Sequence, residues 1–227
     1  METVIDPTRH KAEIEAASGG LAIESIAGLA VMVLAILALI GVLPALLTTV
    51  SGIVFGAAML VAGIAIAGAW TRLTAVAART RGETIEAEGG AGVEMLVGVA
   101  AVALGILALL GISPAVLVPA LIITGGAGLL LSAGTPQRLS DFRAMVLGTS
   151  LETRRMIHEA VKGSTVAQAL GGIAAVVLGI LALVAAHPQP GQSFGNLAEV
   201  GMLVLGLSVA LAGGLLSGRL GNMLRAA

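Results

Sequence analysis

Gly105-Ile-Leu-Ala-Leu-Leu-Gly-Ile-Ser-Pro114 decides how this chain is read, because it occurs three times. Ala35-Ile-Leu-Ala-Leu-Ile-Gly-Val-Leu-Pro44 precedes it by seventy residues, and Gly179-Ile-Leu-Ala-Leu-Val-Ala-Ala-His-Pro188 follows it by seventy-four. Each copy ends an apolar run too long for the core helix of a soluble domain and stops at a proline that opens another run. Proline suits the first turn of a helix, where the missing N–H has no partner to lose. The repeated unit is therefore a pair of apolar helices joined by a turn. Residues 21–43, taken as one helix, rise about 35 Å, enough to cross a hydrocarbon layer about 30 Å thick. The pattern predicts an all-α polytopic membrane protein with six transmembrane helices, arranged as three tandem hairpin repeats.

Composition agrees. Of 227 residues, 57% are hydrophobic and 11% charged, and the mean hydropathy is +1.05. A soluble domain carries about 25% charged residues. Gly numbers 32 while aromatics are 2%, a choice that lets helices approach closely in lipid. The absence of cysteine excludes disulfides, thiolate metal sites and thiol nucleophiles. The polar start, residues 1–20, does not read as a secretory signal.

Working outward from the repeats divides the chain. Residues 1–20 form an N-terminal segment, in which residues 8–17 are expected as a helix at the membrane surface. Hairpins occupy 21–73, 91–139 and 165–220, linkers 74–90 and 140–164, and a tail 221–227. Similar polar signatures precede each hairpin: Ile14-Glu-Ala-Ala-Ser-Gly-Gly20, Ile85-Glu-Ala-Glu-Gly-Gly90 and His158-Glu-Ala-Val-Lys-Gly-Ser164. Each hairpin closes on Arg-Leu, at Arg72-Leu73, Arg138-Leu139 and Arg219-Leu220. Ser113 and Pro114 are expected as cap and first turn of the fourth span, and Pro119 as a kink or ragged turn within it. In the second linker, Phe142, Met145, Val146, Met156, Ile157 and Ala160 fall on one arc of a helix. Arg143, Arg154, Arg155, His158, Glu159 and Lys162 fall on the other, the pattern of an amphipathic helix at a membrane surface. All twelve Lys and Arg residues lie in the termini, the linkers or the hairpin exits. The positive-inside rule then places both termini and both linkers in the cytoplasm of a bacterial inner membrane, with the turns outside.

The acids within spans are few. Glu24 and Glu94 are equivalent positions of the repeats, and Gln168 takes the third. A glycine follows each by four residues (Gly28, Gly98, Gly172), and a small residue follows that by seven (Ala35, Gly105, Gly179). These offsets keep the three positions of each helix on one stripe, so the polar groups are expected to face protein. One reading is a polar ring for proton or cation passage; the other is structural, with each group bonding a neighbouring helix one turn inside the boundary. On the outer side, His187 and Glu199 form a weaker candidate for proton sensing or metal binding, against Glu199 simply favouring a helix N-terminus. Gly89-Gly90 and Gly125-Gly126 lack the lysine and strand–turn–helix context of a phosphate loop. No nucleophile–base arrangement or metal-ligand spacing is present, so neither enzyme activity nor a cofactor is expected. The basic linkers also carry acids, and are read as contacts to anionic lipid headgroups rather than nucleic acid.

The repeated Gly-Ile-Leu-Ala-Leu…Pro hairpin resembles the HdeD-like family of bacterial acid-resistance membrane proteins, with glycine in the first helix of each hairpin and proline at its turn. The resemblance covers residues 21–70, 91–133 and 165–217; the charged linkers here are longer than is usual in that family. It implies six spans and an inner-membrane role in stress, and assigns no catalytic residue. The expected function is non-enzymatic: a structural, scaffold or stress-related membrane protein, alone as a homo-oligomer or as an accessory subunit of a membrane complex. The alternative is a small proton or cation transporter using Glu24, Glu94 and Gln168.

Overall fold

Glycine and proline set the ends of the helices in the computed structural model. It describes residues 7–81, 90–133, 151–186 and 196–226, with side chains over 23–68, 71, 92–133, 163–186 and 196–213. Among the described residues six helices follow one another: α1 (Pro7–Leu39), α2 (Pro44–Arg81), α3 (Gly90–Leu109), α4 (Pro114–Ser132), α5 (Leu151–Ala185) and α6 (Leu197–Ala226). No strand occurs among the described residues. Four helical stretches are long and apolar enough to cross a membrane: Pro44–Gly68, Gly92–Leu109, Pro114–Ser132 and Gly163–Ala185. Ile23–Leu39 and Leu197–Gly213 are shorter apolar helical stretches.

The first two turns share one chemistry. Gly41 has φ 90° and Gly111 φ 83°, left-handed values that only glycine adopts without a Cβ penalty. The Gly41 N–H donates to the Ala38 carbonyl at 3.0 Å and the Val42 N–H to Leu37 at 3.0 Å. Gly111 and Ile112 repeat this onto Ala108 and Leu107 at 3.0 and 3.1 Å. Each pair is a Schellman cap, which satisfies carbonyls that the helix end would otherwise leave bare. The third copy has Ala185 where the others have glycine. There α5 ends without that cap, and the Ala186 N–H bonds Ala182 at 3.0 Å. Residues 187–195, expected as its turn, lie outside the described residues.

Ser113 takes the expected N-cap position, with proline in the first turn of α4; it has φ 40° and ψ 54° and no side-chain cap bond, and its carbonyl accepts from Val116 and Leu117. Pro119 lies inside α4. Three boundaries differ from expectation. The first helix begins at Pro7 and runs unbroken through Gly19 and Gly20, so residues 8–17 continue α1 and form no separate surface helix. Likewise α2 passes the expected exit at Arg72 and reaches Arg81, and α5 starts within the expected linker at Leu151. Uninterrupted helical hydrogen bonding outweighs the roughly 1 kcal/mol cost of each internal glycine. The rest of the amphipathic linker, residues 140–150, lies outside the described residues.

Packing closes the six helices into a ring. Each packs on its neighbours in chain order, α6 packs back on α1, and α2, α4 and α6 also meet across the middle. The pairings of α1 with α6, α2 with α3 and α4 with α5 are made at glycines. A Cβ built on Gly98 would lie 2.7 Å from the Leu60 nitrogen and 2.8 Å from the Gly56 oxygen. One built on Gly172 would lie 2.7 Å from the Gly126 oxygen, and one on Gly28 would lie 2.8 Å from the Gly206 oxygen. Backbone therefore touches backbone at three crossings, a distance that no side chain permits.

Side-chain size is divided accordingly. The buried hydrophobic residues of α1, α3 and α5 are Val31, Ala35, Ala38, Val97, Ala101, Ala108, Ala175 and Ala182. The large ones sit on the inner helices: Phe55, Leu121, Ile122, Leu129, Met202 and Leu205. Glycines of facing helices receive them. The Phe55 ring lies 2.8 Å from where a Gly125 Cβ would be, Leu121 2.6 Å from that of Gly52, and Ile122 2.9 Å from that of Gly201. The outer surface is apolar, with Ile26, Ile40, Leu96, Leu110, Leu131 and Leu170 all well exposed. Large hydrophobics thus face outward as well as inward, unlike the exterior of a water-soluble protein.

The crossings give a direct test. Gly98→Val is expected to destabilise the protein by about 1–3 kcal/mol, since two backbones must part. Gly92→Ala, with nothing within 4 Å of the added carbon, is expected to leave the thermal midpoint in detergent unchanged or slightly raised.

Candidate functional site

The stripe read from the sequence is buried. Gly28, Gly98 and Gly172 make the three crossings, and Ala35, Gly105 and Gly179 are buried further along the same faces. The polar group of each helix stands one turn before its crossing. Glu94 is 4% exposed and Gln168 6%, while Glu24 is half-buried.

The helices explain these positions. Val97, three residues after Glu94, packs on Gly128 of α4, and Gly98 packs on α2. Glu94 therefore lies where α2, α3 and α4 meet, at the end of the bundle opposite the Gly41 and Gly111 turns. Gln168 is placed alike among α4, α5 and α6, because Gly171 packs on Ser208 and Gly172 on Gly126. Glu24 precedes Gly28, which packs on Gly206 and Ala210 of α6. The Glu24 and Glu94 carboxylates are close enough for their like charges to interact, and the Ser132 hydroxyl is within hydrogen-bonding reach of Glu94.

Hydrogen bonding separates this group from the other buried polar residues. Thr48 and Thr49 donate to the Pro44 and Ala45 carbonyls, each at 2.7 Å. Ser51 and Ser208 likewise donate to Thr48 and Val204 at 2.7 Å, and Thr124 to Ala120 at 2.8 Å. These hydroxyls are satisfied by their own helices, as is usual for Ser and Thr in apolar surroundings. Ser132 differs: its bond to the Leu129 carbonyl is long, at 3.5 Å. Glu94 Oε2 and Gln168 Oε1 are buried and have no hydrogen-bond partner among the described residues. An unmatched buried oxygen costs about 1–3 kcal/mol, more for a charged group, so both call for a donor or a cation.

Ser132 was not singled out by sequence reasoning, though it is the one hydroxyl at the end of the α4 apolar run. Ser25, whose hydroxyl reaches the Ala210 carbonyl at 3.4 Å, was missed too; it ties α1 to α6. On the opposite end, Glu199 is in the first turn of α6, where a negative charge complements the helix dipole. Its Oε2 is buried and unpartnered among the described residues, and its proposed companion His187 lies outside them. No cluster of three His, Cys, Asp or Glu side chains occurs among the described residues.

Glu94→Gln is expected to keep the protein folded, with stability changed by no more than about 1 kcal/mol, because an amide already occupies the equivalent buried position at Gln168. Unfolding in detergent, followed by loss of helical circular dichroism, measures this; collapse of the fold would show that the charge itself holds α3 in place. Comparison of the chain with protein-family models, curated proteins and solved structures finds no match.

Proposed function

We propose that the chain is a bacterial inner-membrane protein of six spans in three tandem hairpins, with both termini cytoplasmic, serving a non-enzymatic structural or scaffold role. It is a candidate accessory subunit of a larger membrane complex, and the resemblance to HdeD-like proteins adds a role in stress. The single observation that carries the reading is the filled middle of the bundle. Phe55, Leu121, Ile122, Leu129, Met202 and Leu205 are each at most 1% exposed, and Phe55, Leu121, Ile122 and Leu205 interlock with facing glycines, so the axis is packed with apolar side chains rather than lined by polar ones. A conduit along it would need a continuous row of groups able to replace water around an ion.

Six spans rather than four are supported by the register of the helices. Ile23–Leu39 and Leu197–Gly213 pack together through Gly28 and Gly206 as α3 packs on α2 through Gly98 and Gly56. Three hairpins are supported by burial: the sequence of buried and exposed positions over residues 41–63 recurs almost unchanged over 111–133, and that over 51–63 recurs over 201–213. The cytoplasmic placement of the termini rests on the positions of the basic residues.

A second reading, proton or cation transport, is favoured by the unpartnered oxygens of Glu94 and Gln168 at one end. Proteoliposomes holding a pH dye separate the two. The structural reading expects no proton flux in the wild type; flux that disappears in Glu24→Gln/Glu94→Gln overturns it. Topology is tested independently because the chain has no native cysteine. Thr84→Cys and Ser150→Cys are expected to be shielded from an impermeant thiol reagent in intact cells, and Gln192→Cys to be labelled. Labelling at Ser150→Cys would contradict the six-span arrangement.

A further inference from the structure

We propose that Glu24, Glu94, Gln168 and Ser132 form a binding site for a hard divalent cation, which fastens the hairpins together at the end opposite their turns without crossing the bundle. The inference rests on the three-hairpin reading for the convergence of Glu24, Glu94 and Gln168.

Charge is the first ground. Two carboxylates are close enough to repel each other, and both belong to helices packed in an apolar bundle. Among the described side chains, the helices around them offer no cation. Residues 44–68 of α2, 114–132 of α4 and 163–185 of α5 contain no Asp, Glu, Lys or Arg, and described α6 contributes only Glu199 at the far end. Ionised, two carboxylates in such surroundings need compensation, and a divalent cation would supply it.

Unmet bonding is the second, independent ground. Glu94 Oε2 and Gln168 Oε1 are unpartnered on side chains that are 4% and 6% exposed. Both stand one turn before a glycine crossing, so they occupy the same depth. The donor set is oxygen only: two carboxylates, an amide carbonyl and a hydroxyl. That set selects Mg2+ or Ca2+ over softer metals.

Space is the third. Register along the inner helices places Ala62 and Ala212 level with Ser132, and both are small and buried. Met59, Leu129 and Val209, one turn nearer the turns, fill the middle and are at most 2% exposed. A cation bound at the linker end would thus lie over an apolar layer, which allows binding without passage. With only two charged ligands, the affinity falls in the range of weak oxygen sites, about 0.1–1 mM.

Thermal unfolding of the purified full chain in detergent tests the proposal, using the metals alone as probes. About 5 mM Ca2+ or Mg2+ is expected to raise the midpoint by about 5 °C over NaCl of equal ionic strength. Glu24→Gln/Glu94→Gln is expected to abolish the difference, and Gln168→Leu, which keeps both carboxylates, to reduce it by half or more. Should the double variant not fold, Gln168→Leu and Ser132→Ala carry the test, with equilibrium dialysis of Ca2+ as a direct count. A divalent shift that persists in all variants, or one matched by NaCl, overturns the site. So does a wild type indifferent to the metals but stabilised by acid through these same carboxylates, since a proton then fills the role. Thiol labelling at Ser150→Cys reports the hairpin topology separately, so its failure is distinguishable from failure of the cation shift.

Discussion

Backbone contact at the three glycine crossings is the constraint on which the rest of the bundle depends. Gly28 against Gly206, Gly98 against Gly56 and Gly172 against Gly126 bring α1 onto α6, α3 onto α2 and α5 onto α4 at distances that a methyl group would prevent. In lipid, exposed apolar surface gives helices little reason to associate, and close van der Waals contact with weak Cα–H···O bonds replaces the hydrophobic drive. Small residues on α1, α3 and α5 let these helices seat against the inner three. The inner three are then free to carry the bulk, and Phe55, Leu121, Ile122 and Leu205 fill the middle against one another and against Gly125, Gly52 and Gly201.

That division of labour separates structure from chemistry along the bundle. At the turn end, Thr48, Thr49 and Ser51 turn their hydroxyls onto their own helices and leave nothing to offer a ligand. At the other end, the small layer of Ala62, Ser132 and Ala212 lies beside polar groups whose oxygens are unmet. The unmet polarity described here is thus concentrated at that end. A structural role for the bundle and a binding role for one end are compatible for this reason.

Much of this was legible in the sequence. The turns were marked by Gly41, Gly111, Pro44 and Pro114, because a left-handed helix cap and a proline-led first turn are local devices. The burial of Glu94 and Gln168 followed from their register with Gly98 and Gly172, which is local too. What could not be read was non-local. That Gly98 meets Gly56 of the neighbouring hairpin, rather than the partner in its own, depends on three-dimensional pairing that no spacing encodes. The continuity of α1 through Gly19-Gly20 ran against glycine's reputation as a breaker. Ser132 was overlooked because its importance comes from facing Glu94 across a helix pair. The exposed apolar exterior was implied by composition, but the packed axis, which decides between the functional readings, came from which large side chain faces which glycine.

Closure of the ring between the first and last helices is the central claim, and the cysteine-free chain makes it directly measurable. Ser25 of α1 reaches the Ala210 carbonyl of α6, although 185 positions separate them in sequence. Ser25→Cys/Ala210→Cys, oxidised in the membrane and then cleaved by trypsin after Arg81 at the end of α2, tests it. The account requires the N-terminal and C-terminal fragments to remain joined until reductant is added, within a single chain. Fragments that separate without reductant, or a cross-link found only between two chains, would contradict it.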